Sequence, residues 1–203
     1  LALSYGLALY FGLAPAPFAA AAARPGHESL ALDETESASP VQVGGSYRYV
    51  LTRKQVLETY EGARRLFTDY RDEAAKVEIN RILESNAAEP VKNKARLLLG
   101  YTAVPGFDTL KDRYSYRDVQ KEPVLYRDVH VVWKGMAANL RAEERATSFD
   151  LLVGYDTRNA LEGIVPVRLD FAAAVDVERP LEVLGRLVPV QGKEGFRLEG
   201  LAL

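Results

Sequence analysis

From Val129 to Leu203 apolar and polar residues alternate in five short runs, the period of strands with one buried face. In the first, Val129, Val131 and Trp133 alternate with His130 and Lys134, and Gly135 interrupts as a β-bulge would. The second sets Phe149, Leu151, Val153 and Tyr155 against Ser148, Asp150 and Gly154, before a polar turn at Asp156-Thr157-Arg158-Asn159. The third sets Leu161, Gly163, Val165, Val167 and Leu169 against Glu162, Arg168 and Asp170. Residues 171–180 break the alternation with an alanine cluster that suits a short helix. Leu181, Val183, Gly185 and Leu187 then alternate with Glu182 and Arg186. Phe196, Leu198, Gly200 and Ala202 alternate with Arg197 and Glu199 after a hairpin loop at Gly192-Lys193-Glu194-Gly195.

Upstream the period is 3.6. Thr52 with Gln55 forms a capping box, and Val56, Leu57, Tyr60, Ala63, Phe67 and Tyr70 fall on one helical face. A second helix is predicted from Asp72 to Glu84, with Ala75, Ile79, Ile82 and Leu83 inward. Asn86 with Glu89 is a further capping-box pair, Pro90 suits a first turn, and Val91, Ala95, Leu98 and Leu99 make the stripe of a third helix. Pro105-Gly106 stops it. Short connections imply antiparallel neighbours. Ala63-Arg64 and Ala95-Arg96 give a faint likeness to a tetratricopeptide pair, whose repeat is about 34 residues, but two half-matched copies support only a helical hairpin region. Residues 107–124 are a polar, Tyr-rich connection with a helical turn near Tyr116 to Gln120.

Residues 1–23 carry no charge. An apolar run, helix-breaking Pro15 and Pro17 and an Ala-x-Ala site describe a secretory signal peptide, with an uncleaved membrane anchor as the rival. Cleavage is the preferred reading, because the prolines weaken a straight span. Residues 24–45 hold four acids, one Arg and several Ser, Pro and Gly, and are expected to be a flexible acidic linker. The organisation is therefore leader 1–23, linker 24–45, helical region with its connection 46–124, and β region 125–203.

Three strands, a short helical insert and a two-strand hairpin follow the order of an OB-fold barrel. VHVVWKGMAANL resembles that fold's long first strand with its glycine bend, and PLEVLGRLVPVQGKEGFRLEGLAL resembles its final hairpin. The resemblance covers about residues 125–203. It implies an α+β chain, with amino-terminal antiparallel helices followed by a five-stranded antiparallel OB-like β-barrel. It also implies use of that barrel to bind single-stranded nucleic acid, oligosaccharide or protein, and it carries over no catalytic residue.

Charge narrows these choices. The formal net charge is −2, and residues 124–203 hold ten basic against twelve acidic residues. Phe149 and Tyr155 share the parity of the core, so the stacking surface and cationic groove that single strands need are missing, and no nucleic acid is expected. Residues 46–123 hold fifteen basic and twelve acidic residues, with Lys92, Lys94 and Arg96 close together. These three are candidates for anionic lipid or an acidic partner, against the plainer reading of a solvated helix face. Tyr114, Tyr116 and Tyr126 are candidates as partner anchors, against the better reading that they pack helices to barrel.

Reactive constellations are sparse. The chain has no cysteine and two histidines, which excludes disulfides and leaves little for zinc. Ser148, His130 and Asp150 are the residue types of an acyl-transfer triad, but no Gly-x-Ser-x-Gly elbow presents the serine, and His130 is expected to be an exposed strand histidine. Asp156, Asn159 and Glu162 bring oxygen ligands to one loop without EF-hand spacing. No phosphate-cradling glycine loop occurs, and no cofactor is expected. The expectation is a non-enzymatic exported envelope protein, tethered to the membrane by residues 1–23 if they are retained, that binds protein or a glycan-like polymer. A nucleic-acid-binding barrel and a hydrolase are the alternatives.

Overall fold

The computed structural model describes Arg24, residues 28–190 and residues 195–203. The leader expected at 1–23 and most of the hairpin loop, Gly192 to Glu194, lie outside the described residues. A helical layer precedes a closed barrel.

The helices are α1 (Glu34–Ala38), α2 (Arg53–Thr68), α3 (Asp72–Leu83) and α4 (Glu89–Gly100). At the start of α2 the Gln55 amide donates to Thr52 Oγ1 at 3.3 Å, and the Thr52 amide donates to Gln55 Oε1 at 2.9 Å. Helix α2 buries Val56, Tyr60, Ala63 and Phe67 against α3, and α4 adds Val91, Ala95 and Leu98 to the same core. The second capping box does not form. The N-cap of α4 is Ala88, and Asn86 is drawn inward, accepting from the Leu51 amide at 2.7 Å. A partly buried tertiary hydrogen bond displaces the local one.

Residues 28–45 are not a flexible linker. Leu30 is buried in the helical core, Leu32 and Val41 pack against it, and the Tyr60 hydroxyl donates to the Leu30 carbonyl at 2.6 Å. Asp33 and Glu36 form a capping box on α1, and the Gln42 amide donates to the Asn86 carbonyl at 2.8 Å. Composition undervalued this stretch because three well-placed apolar side chains suffice to strap it across helices that are already packed.

The strands are β1 (His130–Ala142), β2 (Thr147–Val153), β3 (Gly163–Leu169), β4 (Leu181–Pro189) and β5 (Phe196–Ala202). They close in the order β1-β2-β3-β5-β4. The fold is α+β, with an OB-like barrel that is antiparallel except at the β3–β5 seam. That seam is parallel and runs only from Val167–Leu198 to Leu169–Gly200. Val131, Trp133, Phe149, Leu151, Val153, Val165, Val167, Val183 and Leu198 fill the interior, as the alternation predicts.

Gly135 pairs with both Val153 and Leu181, and a Cβ there would lie 2.1 Å from the Leu152 carbonyl oxygen. It permits a close strand approach. The register irregularity of β1 lies further on, between Ala138 and Arg141, where Asn139 has φ +52°. Tyr155 leaves β2 for a short 3-10 turn, and Leu161 precedes β3 with its side chain exposed.

No helix forms in residues 171–180. Ala173 and Val175 pack on the core there, and the Ala173 amide donates to Thr147 Oγ1 at 3.0 Å. The barrel takes its helical filling from upstream, from α5 (Tyr116–Lys121) and a 3-10 turn at Pro123–Tyr126, which bury Val119 and Leu125. Ser115 and Asp118 cap α5 reciprocally. The Tyr116 ring sits against Gly163 of β3, where a Cβ would lie 2.1 Å from Cζ, and 5.9 Å from the Phe196 ring of β5. It therefore covers the part of the β3–β5 seam that backbone pairing leaves open.

Candidate functional site

Three places on the molecule gather polar chemistry. The first is the joint between α3 and the barrel. Asn80 Nδ2 donates to the carbonyls of Leu125 and Arg127, both at 2.8 Å, fixing α3 on the turn that leads into β1. One turn earlier, Glu73, Lys76 and His130 are all buried. The Lys76 ammonium donates to Glu73 Oε1 at 2.9 Å, and the His130 amide donates to Glu73 Oε2 at 2.6 Å. His130 Nδ1 lies 3.0 Å from both Lys76 Nζ and Glu73 Oε1. Glu73, Lys76 and His130 thus meet away from water, and the tautomer of His130 decides whether its Nδ1 accepts from Lys76 or donates to Glu73.

This corrects the expectation of an exposed His130. It also separates the acyl-transfer set. Ser148 pairs with Arg141 and Asp150 with Ala138, toward the opposite end of β1 from His130. Local pattern does not reveal this cluster, because Glu73 and Lys76 lie three residues apart on α3 while His130 is more than fifty positions along the chain.

The second place is a cleft of about 520 Å³ beside the start of α3. Both carboxylate oxygens of Asp72 pair with the Arg24 guanidinium, through Nη1 and, at 2.8 Å, through Nη2. Asp72 Oδ2 also accepts from the Ala103 amide at 2.9 Å. Asp112 binds Arg71 at 2.6 Å and accepts from the Ala74 amide at 3.3 Å, and it raises the arginine's affinity for its proton. The Tyr70 ring lies between two cations, 4.7 Å from the Arg24 guanidinium and 5.6 Å from Lys111 Nζ.

The third is a groove of about 460 Å³ on the outer face of β1, β2 and β3. Asn139, Leu140, Arg141, Ser148, Asp150 and Pro166 line it. The irregularity after Ala138 opens it, and Asn139 Nδ2 donates to Asp150 Oδ2 at 2.7 Å. Ile164 stands beside it on β3, 55% exposed, in the row paired with Leu152. Phe149 touches the groove but is buried, so no ring face is presented for stacking. The arrangement offers a guanidinium, a hydroxyl, a carboxylate and an amide between aliphatic walls.

The basic candidates on α4 do not form one solvated patch. Lys92 is buried, with its ammonium 5.4 Å from the Tyr47 ring and 4.0 Å from Glu89. Lys94 reaches Glu36 at 3.4 Å and the Ser29 carbonyl at 3.3 Å. Arg96 is the exposed one, held by Asn93 at 2.6 Å and Glu89 at 3.5 Å. The tyrosines pack at the joint. Tyr114 and Tyr126 meet edge to face at 5.0 Å, and Tyr116 and Trp133 at 5.6 Å. Burial, with Asp112 adding to it, pushes the Tyr114 hydroxyl pKa up, and burial followed by Asp118 does the same to Tyr126.

In the loop considered for calcium, Asp156 pairs with Lys134 at 3.3 Å and Glu162 with Arg117 at 3.4 Å. Among the described residues, no group of three His, Cys, Asp or Glu is placed to hold a metal. Among them, too, no helix is long and apolar enough to cross a membrane.

Residues 108–203 match the family model described as Spirochaete C-terminal OB fold, and residues 39–99 match a domain of unknown function, DUF8514. The first match begins ahead of the barrel, so it takes in α5 and the turn that complete it. No curated protein and no solved structure matches the chain.

Proposed function

We propose that this chain is a non-enzymatic, exported binding module of a bacterial cell envelope, which engages an extended segment of a protein partner through the groove on β1, β2 and β3. The observation that carries this reading is the groove itself. It lies on the strand face that barrels of this type offer to ligands, and it sets Arg141, Ser148 and Asp150 beside Leu140 and Pro166, with exposed Ile164 two residues from Pro166 on β3. Aliphatic walls with interspersed hydrogen-bonding groups suit a polypeptide. A glycan or a single strand would favour open ring faces, which the groove does not present. The charge-free leader supports export, and the spirochaete family description supports a bacterial setting. Separation of His130 from Ser148 and Asp150 supports the non-enzymatic assignment.

The test is capture of partners from envelope extracts by the full chain and by an Arg141→Glu/Ile164→Asp variant with an unchanged melting curve. A protein retained by the former and lost by the latter is the expected result. Equal capture by both, or nothing above background, rejects the reading. Affinity for single-stranded DNA that falls steeply with added salt would favour the nucleic-acid alternative instead.

A further inference from the structure

Exposed apolar side chains run from the end of α4 into the segment that follows it, which lines the cleft that holds Arg24. Leu97 and Tyr101 lie one turn apart at the end of α4, 48% and 50% exposed. Val104, in the segment that follows, is 70% exposed, and Tyr70 across the cleft is 41% exposed. Large apolar side chains scattered singly are ordinary, whereas a group of them in one place marks a contact surface. Arg24 lines the cleft with Tyr70 and Val104, its guanidinium on Asp72 and 4.3 Å from the Phe67 ring, and Asp72 in turn holds the Ala103 amide two residues beyond Tyr101. Lys111 also lies 5.6 Å from the Tyr70 ring and donates to the Asp69 carbonyl at 2.9 Å.

The segment that ends at residue 23 is charge-free and adjoins Arg24 with no intervening linker. Consecutive Cα atoms are about 3.8 Å apart, so a membrane that holds this segment lies at the face that holds Arg24. The side chains suit that neighbour. Tyrosines favour the headgroup level, Leu and Val the acyl boundary, and cations on long stems reach back to water and phosphate.

We propose that this face, carrying Tyr70, Leu97, Tyr101 and Val104, rests on a lipid surface. The inference rests on the rival reading of residues 1–23, retention as a membrane anchor, and adds an orientation to it. The cleft end of the helical layer faces the bilayer, and the groove, at the far end of β1 from His130, is left open to a partner.

The absence of cysteine allows a direct test. The full chain carrying Val104→Cys, or Arg145→Cys in the β1–β2 loop as a control, is labelled with an environment-sensitive fluorophore. It is then mixed with phosphatidylcholine–phosphatidylglycerol vesicles, with and without acyl-brominated lipid. The expected result is flotation with the vesicles and a several-fold quenching by brominated lipid at position 104, with none at 145. A chain that floats while position 104 stays unquenched overturns the docking face and leaves the anchor intact. A chain that does not float removes the anchor reading together with the face. Protection of position 104 that appears without lipid and grows with protein concentration assigns the face to self-association and likewise overturns the proposal.

Discussion

Glu73 accepts from both the Lys76 ammonium and the His130 amide, and none of the three residues has access to bulk water. Removing one partner of a buried pair leaves the other charge uncompensated, which costs far more than losing a surface pair. Glu73→Gln should therefore destabilise the fold by about 3–5 kcal/mol in urea unfolding. A variant with all three side chains replaced by apolar ones of similar volume should lose much less. A Glu73→Gln cost below about 1 kcal/mol would mean that water reaches the joint. The sequence placed His130 correctly on the polar parity of β1. On that strand the outward side faces α3, so the alternation was legible and the burial was not. The buried Tyr60 and the half-buried Tyr114 and Tyr126 give a second outcome. Burial raises the hydroxyl pKa of Tyr60, Tyr114 and Tyr126 above the ordinary 10.0. The folded state holds those protons longer than the unfolded chain, so the stability they contribute is complete below pH 10 and is lost as pH rises beyond it. On alkaline titration the exposed tyrosines should ionise gradually, and unfolding should coincide with a further, cooperative rise in tyrosinate absorbance. Gradual ionisation of all the tyrosines without unfolding would contradict the burial.

At the scale of elements, the barrel's weak seam is β3–β5, where pairing covers three residue pairs and Tyr116 covers the gap beyond. Tyr116→Ala should destabilise by about 3–5 kcal/mol, because it removes a ring packed against Trp133, Phe196 and Gly163. Gly135→Ala should be worse tolerated than Gly163→Ala. At position 135 the new Cβ meets the Leu152 carbonyl, which is strand backbone, whereas at 163 it meets a tyrosine ring that can swing. Chemical unfolding of the two alanine variants measures the order, and the reverse order would show that the strands around Gly135 yield more easily than the ring. The strands were legible because alternation with a buried face is a direct sequence signal. The source of the helical filling was not. The alanines of residues 171–174 have helix propensity, but α5 already occupies the barrel, so tertiary packing overrides that local preference.

Across the whole molecule, the helical layer is held together by a segment that composition alone assigns to solvent. Leu30 fills the space between α2 and α4, its carbonyl takes the hydroxyl proton of buried Tyr60, and Glu36 on α1 pairs with Lys94. These contacts hold the stretch from residue 29 to residue 42 on the helical core. Leu30→Ala should cost about 2–5 kcal/mol, from lost burial and the cavity left behind. Because the strap lies on the helical core, and α3 is welded to the barrel through Asn80, Glu73 and His130, that loss should appear in both regions at once. Thermal unfolding followed in parallel by far-ultraviolet ellipticity and by fluorescence of Trp133, the sole tryptophan, reads the two regions separately. Coincident transitions that shift together in Leu30→Ala are expected from a single cooperative unit. If the ellipticity transition moved down while the Trp133 transition stayed in place, the barrel would be independent of its helices. The cleft face and the groove would then have no fixed relation, and a membrane at one could not orient the other.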